Sequence, residues 1–532
     1  MASMAKQGGY IIGENSIIFA MVSAVLIIVI SCWYSFGNGK SRRNGELQLP
    51  PGPRGLPLIG SLLSCGSDLH TYFGKLAETY GPVIKVKMGS KIYVVISSAS
   101  MAKEVLKDND SILAYRDTPI AALVSSYGGS DIAWSPSNSE WRKLRKVLAH
   151  ELLSKRSLES CYDLRREEIR KTIIEIYKLK ISMPINFGEE VFVTILNVIT
   201  GMLWGGTIQG EQRSRVDALE FRKVIVELNT LVGKPNVSDF FPVLRCFDIQ
   251  GIERQATALS AWLDCKIDLV IDHKEKLKDK DQFQTCQSKE NRKDFVQLLL
   301  ELMEQEDDER QINSTQLKAL FVDIVMAGTD ATSTTIEWVM TEMMQHPEIM
   351  KRVQAELDQV VGINNMVEES HLSELQYLNA VLKETLRLHP AAPLLLPHSS
   401  SSPCQIGGYI IPNGVTVLCN AWSIHRDPEV WADPLKFHPE RFSSNEDVKK
   451  FDYNGNNFIY IPFGSGRRIC SGIPLAKRML PYVLASLLHS FDWRLPKDAK
   501  LDLRETFGVA LKKTTPLVVI PTPRLDNLEL YT

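Results

Sequence analysis

The sequence predicts a mainly α-helical body with small β-sheets, tethered by an N-terminal transmembrane helix. Helical periodicity dominates the middle of the chain, with long helices expected at about Ser314 to His346, Pro347 to Val361 and Leu372 to His389. Strand signals are confined to short stretches such as VIKVKMG and KIYVVIS, which alternate apolar with polar residues or meet at a Gly-Ser turn. The segment Ser16 to Phe36 carries no charge over 21 residues, enough to span a bilayer core as a helix.

Lys40, Arg42 and Arg43 follow that segment, against Lys6 and Glu14 before it. The positive-inside rule therefore puts the rest of the chain in the cytosol, as a single-pass signal anchor in the endoplasmic reticulum membrane. A cleaved signal peptide is the alternative, but the apolar run is long for one and no A-x-A-like site follows it. The prolines of LPPGPRGLP then stiffen the chain, setting the globular part at a fixed distance from the membrane. The expected division is 1–36 for the anchor region, 37–55 for a basic, proline-rich hinge and 56–532 for one large domain. Within it, HTYFGKLAETYG and SMAKEVLKDN read as helices, and GGYIIPNGVTVLCN as a hairpin around Pro412, Asn413 and Gly414. His273 to Lys293 is charged and reads as a solvated helix end and loop.

With 532 residues, a net charge of −2, 44% hydrophobic and 23% charged residues, the composition is globular and nothing in it calls for nucleic acid. Nine cysteines are dispersed without a C-x-x-C, which reads as reduced thiols facing the cytosol. Cys470 differs, because it sits in PFGSGRRICSG, between glycines and arginines. A lone thiolate with no second protein ligand nearby suits haem iron, where the porphyrin supplies the equatorial ligands. Glycines let backbone approach the porphyrin and turn into a helix beginning at Ile473, amide hydrogens at that turn tune the sulfur, Phe463 shields it and Arg468 pairs a propionate.

Phe463, Gly466, Arg468, Cys470 and Gly472 match F-x-x-G-x-R-x-C-x-G, the haem-binding signature of the cytochrome P450 superfamily, which the chain resembles from Leu49 onward. Three further motifs follow the family's order. Glu384 and Arg387 in LKETLRLHP, with Arg441 in FHPERF, resemble its buried ion-pair network. Trp141 and Arg145 in WRKLR and His398 in LPHSS resemble its propionate donors. AGTDATSTT, in the longest helix, contains Asp330, the acid that the family uses to guide protons, and small Ala327 and Gly328 where a macrocycle approaches. The family usually has Thr at the next position, where this chain has Ala331. Thr332 follows, rotated by about 100° along the helix. The expectation is a relay through water held by Asp330 and Thr332, or a hydroxyl on the substrate.

The wording of these motifs resembles the plant microsomal A-type group, close to members that oxidise terpenoids and flavonoids. The resemblance implies haem b, O2, and electrons from NADPH through a separate NADPH-cytochrome P450 reductase, docked on Arg142, Lys143, Lys146, Lys477 and Arg478. Substrate contacts are expected from the loop Ala121 to Ser135, from Asp323, Ala327, Ala392, Leu395, Leu396, Val509 and Ala510, mostly small and apolar, which suits a lipophilic metabolite. The leading expectation is a haem-thiolate monooxygenase of a sesquiterpene or other terpenoid, with a flavonoid next. A haem-thiolate dehydratase or isomerase that does not use O2, and a non-catalytic membrane-tethered haem-binding protein, are the alternatives.

Overall fold

The computed structural model describes residues 48–205, 215–281, 293–305, 310–444 and 450–531, so the expected anchor and most of the hinge lie outside the described residues. Helices form the body, and its spine is the helix Ser314–Gln345, called the long helix below. It starts at a reciprocal cap: the Asn313 Oδ1 accepts from the Gln316 amide at 2.8 Å, while the Gln316 Oε1 accepts from the Asn313 amide at 3.1 Å. It stops at Gln345 because Pro347 opens the next helix, Pro347–Val360. Its main neighbour is the apolar helix Phe187–Trp204, which is capped by Asn186 and ended by Gly205 at φ 74°. A Cβ at Gly328 would sit 2.7 Å from the Ile199 Cδ1 on that helix. The glycine thus answers to helix packing as well as to the close approach that the motif implied.

Among the described residues, twelve strands make four small sheets. β1 (Val83–Met88), β2 (Lys91–Ile96), β3 (Tyr115–Arg116), β5 (His398–Ser399) and β8 (Thr416–Cys419) form one sheet in the order β1-β2-β8-β5-β3. β4 (Ile185–Asn186) and β9 (Phe491–Arg494) flank β12 (Val518–Pro523), β6 (Cys404–Ile406) pairs with β7 (Tyr409–Ile411), and β10 (Glu505–Thr506) with β11 (Lys512–Lys513). The register at the edge of the first sheet sets Arg116 opposite His398.

The first two strands and their Gly89-Ser90 turn lie where the sequence puts them. The hairpin expected around Pro412 does not form. β7 pairs backwards with β6 through Gly407 and Gly408, both at positive φ (57° and 80°), whereas β8 leaves to pair with β2 and β5. Two successive left-handed positions suit a tight hairpin turn, and Pro412 has no amide for a ladder. The helix expected from Leu372 spans Gln376–Leu388 behind a short 3₁₀ turn, and that expected over Ser100 to Asn109 passes into a π turn at Glu104–Asp108. The stretch Ala121 to Ser135, expected as loop, begins inside the helix Ile120–Ser125. The helix Ile252–Asp281 carries the charged run's start; 282–292 lie outside the described residues.

Glu384 and Arg387 are both fully buried. Arg387 donates Nε to the Glu384 Oε2 at 2.7 Å and Nη2 to the Oε1 at 2.9 Å, and spends its remaining donors on the carbonyls of His425, Pro434 and Lys436. The His438 amide and the Arg441 Nε complete Glu384 at 2.8 and 3.4 Å. This satisfied network staples the meander around Phe437 to the helix Gln376–Leu388. Glu384→Ala should strand a buried guanidinium and cost about 3–5 kcal/mol, and Arg441→Leu, at the more exposed and longer contact, about 1 kcal/mol. Chemical denaturation of the two variants measures the difference.

Candidate functional site around Cys470

The helix Ile473–Ser490 starts with Pro474 in its first turn, and Cys470 lies just before it. The Cys470 amide donates to the Phe463 carbonyl at 3.0 Å, closing the loop that presents the thiol. Burial pushes the thiol up, while the Gly472 amide, the Arg145 charge and the Ile473 amide pull it back. Cys470 is nevertheless surface-accessible. Deep placement and access are compatible only if the side chain borders an interior hollow. Ala327 gives a second mark, for it is exposed although Val325, Thr329 and Asp330 around it on the long helix are buried. Gly464 brings a further wall close, since a Cβ there would lie 3.8 Å from the Leu395 side chain. Phe463 packs edge-on against Tyr453 at 5.0 Å.

Beside this loop three guanidiniums converge, Arg468 buried and Arg145 and Arg116 half-buried. Arg468 donates to the carbonyls of Ala114, Ile132 and Ser135 at 2.6, 3.1 and 2.5 Å. Arg145 donates to the Ile469 carbonyl at 3.0 Å, and the Trp141 Nε1 to that of Ile132 at 3.1 Å. The guanidinium carbons of Arg468 and Arg145 lie 4.3 and 5.3 Å from the Trp141 ring centre. Arg116 joins them, bonded to the carbonyls of Ala133, Leu396 and Pro397. Every acceptor is a neutral carbonyl, and among the described residues no carboxylate forms an ion pair with Arg116, Arg145 or Arg468. Burial and then mutual repulsion lower Arg116 to about 9 and Arg468 to about 10. Such a cluster fits a dianion, which is what two haem propionates supply.

The His398 ring bonds the Leu113 carbonyl through Nδ1 at 2.7 Å. Burial, then Arg116, depresses its pKa to about 3, so without an anion it is neutral. Nδ1 must hold the proton to donate to that carbonyl, so Nε2 donates to a propionate only as imidazolium, a form that the propionate's own charge favours. Arg116 was not legible in the sequence, because it belongs to a two-residue strand and reaches the cluster only through its register with His398.

On the long helix, Asp330 is buried and committed. The Asn229 Nδ2 donates to its Oδ2 at 3.0 Å, and the Lys512 Nζ lies 2.8 Å from its Oδ1. Thr332 follows Gly328 by four residues and so falls on the row facing Phe187–Trp204, about 140° round from Ala327. Ala331, one turn beyond Ala327, continues the accessible row. Asp323, expected among the substrate contacts, accepts the amides of Ile132 and Ala133 at 2.8 and 3.1 Å. Two of the other expected segments meet, since the Leu511 amide bonds the Ala391 carbonyl at 2.8 Å and so sets the stretch of Ala392, Leu395 and Leu396 beside that of Val509 and Ala510. Leu395 is held at φ 53°, a left-handed position unusual for leucine. Of the five cations expected on the reductase face, Lys143 is paired with Glu140 and Arg478 with Glu369, which leaves Arg142, Lys146 and Lys477 as its exposed members.

The cytochrome P450 family pattern matches residues 50–520. A carnosic acid synthase of Salvia pomifera is 38% identical over 503 residues, covering 93% of this chain and 98% of that one. A flavonoid 3'-monooxygenase of Petunia hybrida is 37% identical, covering 91% and 94%, and a ferruginol synthase of Salvia miltiorrhiza 35% identical, covering 94% and 99%. A zebra fish cytochrome P450 solved with progesterone superposes with a TM-score of 0.71 at 25% identity, over 85% of this chain and 99% of that one.

Gly466 stands at φ 66°, and a Cβ there would lie 2.1 Å from the Leu106 carbonyl oxygen, which is backbone and cannot yield. Gly466→Ala should cost about 1–2 kcal/mol for the left-handed position alone and dislodge the Cys470 loop. Haem per chain should fall severalfold while far-ultraviolet circular dichroism stays native.

Proposed function

Because the chain belongs to the cytochrome P450 family and is a monooxygenase using haem b, O2 and NADPH-derived electrons, we propose that it oxidises a lipophilic plant terpenoid while tethered to the endoplasmic reticulum. When bound, haem supplies the redox chemistry that splits O2 and inserts one oxygen atom into the substrate. Cys470 is the proposed iron ligand, Trp141, Arg145, Arg468, His398 and Arg116 hold the propionates, and Phe463 shields the sulfur. The observation that carries this reading is the cluster of guanidiniums bonded only to neutral carbonyls beside an accessible thiol.

A sesquiterpene or other terpenoid is the first substrate class, supported by relatives named for carnosic acid and ferruginol, and a flavonoid is the second. Ala327, Ala392, Leu395, Leu396, Val509 and Ala510 give the substrate an apolar wall. Electrons arrive from NADPH-cytochrome P450 reductase on the face of Arg142, Lys146 and Lys477, with the domain 56–532 in the cytosol behind the hinge 37–55. The anchor is the segment 16–36. A surface of exposed apolar side chains supports the attachment: Leu58 and Leu63 at 74% and 77% exposure, and Val243 and Phe247 at 83% and 71%. Both pairs flank the β1–β2 turn, where the Gly89 amide bonds the Ile59 carbonyl and the Ser90 amide bonds that of Phe240. The helix Phe187–Trp204 has the length and composition of a span, yet it is mostly buried and belongs to the core.

Microsomes carrying the chain and a reductase, incubated with terpenoid and flavonoid panels, should yield an oxygenated terpenoid with consumption of NADPH and O2; product formed without either would reject oxygen insertion. The reduced, carbon monoxide-bound spectrum should show a thiolate-type Soret band that Cys470→Ser loses. Ala331→Thr should change the ratio of NADPH consumed to product formed, because it adds a hydroxyl to the accessible row of the long helix. An unchanged ratio would count against a relay displaced from that position.

A further inference from the structure

The turn Asp131 to Ser135 is bonded on both of its sides. The amides of Ile132 and Ala133 donate to the Asp323 Oδ2, and those of Trp134 and Ser135 donate to the Asp131 Oδ1 at 2.9 and 3.0 Å. The four carbonyls of the same residues face the other way. Ile132 accepts from Trp141 and Arg468, Ala133 from Arg116, Ser135 from Arg468, and Trp134 from the Thr118 hydroxyl at 3.2 Å. The propionate-side cations are therefore aimed by one peptide segment, and that segment is held in place by two carboxyl groups. Asp131 is 2% exposed and Asp323 half-buried, the two carboxyls sit on successive amides of the same turn, and among the described residues neither makes an ion pair.

We propose that Asp131 and Asp323 share one proton as an acid–carboxylate pair, and that this pair is the positioning device for the cation cluster beside Cys470. Two ionised carboxylates seated side by side on one turn, Asp131 buried and Asp323 half-buried, repel each other, and a single proton between them turns the repulsion into a hydrogen bond. Burial raises both groups, and the Asp323 charge raises Asp131 further. The charged groups that face the pair are Arg116 on β3 and Arg468 on the turn Gly466–Arg468, both engaged with carbonyls. Lys318 on the long helix is turned to Asp264 and Asp268 of the helix Ile252–Asp281, with Tyr127 on Asp264.

The sign follows from linkage. Opening the turn returns both carboxyls to water, where they titrate near pH 4. The closed turn holds its proton to higher pH, so its stability is full in acid and falls as pH rises from about 4 through the pair's own titration. Asp131→Asn keeps an oxygen for the Trp134 and Ser135 amides and gives Asp323 a permanent donor. It should therefore remove the pH dependence without loosening the turn.

The test is amide hydrogen exchange of the full-length holoenzyme between pH 5 and 9, corrected for intrinsic rates. Wild-type protection at Ile132 to Ser135 should fall by up to about tenfold per pH unit, and a flat wild-type profile overturns the proposal. Asp131→Asn should be flat within about twofold and, at pH 8, release haem to a scavenging globin no faster than wild type. Asp323→Asn should flatten the profile from the other side, so the result does not hang on one variant folding. Asp131→Ala should lose protection at every pH. A wild-type slope in both Asn variants, or loss of protection in them as deep as in Asp131→Ala, overturns the shared proton.

Discussion

Three guanidiniums whose hydrogen bonds all go to neutral carbonyls, Arg468 buried and Arg116 and Arg145 half-buried, are the constraint on which this architecture turns. Carbonyl dipoles from Ala114, Ile132, Ala133, Ser135, Leu396, Pro397 and Ile469 solvate Arg116, Arg145 and Arg468 in part, yet they cancel no charge. The fold accepts that cost in a defined place. The sheet edge supplies Arg116 and His398 by register, the helix Ser139–Val147 supplies Trp141 and Arg145 one turn apart, and the cysteine loop supplies Arg468. A dianion bound there gives back what the unpaired cluster costs, so retention of the cofactor and stability of this side of the protein are linked quantities.

The network around Glu384 shows the opposite solution with the same side chains. Glu384 and Arg387 bond twice, a second arginine and an amide use the remaining lone pairs, and no donor of Arg387 is left over. A closed network of this kind specifies where two segments meet and has nothing to offer a ligand. The two clusters separate structural from ligand-binding arginine by one criterion, namely whether the charge is neutralised within the protein. That criterion is electrostatic, and sequence spacing does not report it.

What could be read from the sequence was what is local. Cys470, its glycines and the helix after it are encoded within eleven residues, and the pairing of Glu384 with Arg387 within four. The long helix was legible because its apolar period runs for 32 residues between an Asn-x-x-Gln cap and a proline. The rest depends on partners far along the chain. Arg116 is defined by its place opposite His398, and Gly328 by Ile199 on another helix. Asn413-Gly414 after Pro412 is a strong local turn signal, yet strand pairing there is decided by Gly407-Gly408 and by the open edge of β2 that β8 joins.

The long helix gathers these arrangements. Asp323 holds the turn Asp131 to Ser135, Gly328 admits the helix Phe187–Trp204, and Asp330 ties in Asn229 and Lys512, so three positions within about two turns are each committed to a different neighbour. Between them the accessible row consists of Ala327 and Ala331, one turn apart, which show the hollow only methyl groups and helix backbone. Neither alanine carries a hydrogen-bonding side-chain atom, so this row leaves polar contacts to whatever lies against it. Under the proposed relay, a polar atom needed at this point would be carried in by water or by the substrate, so what the helix omits here weighs on the ligand as much as what lines the walls.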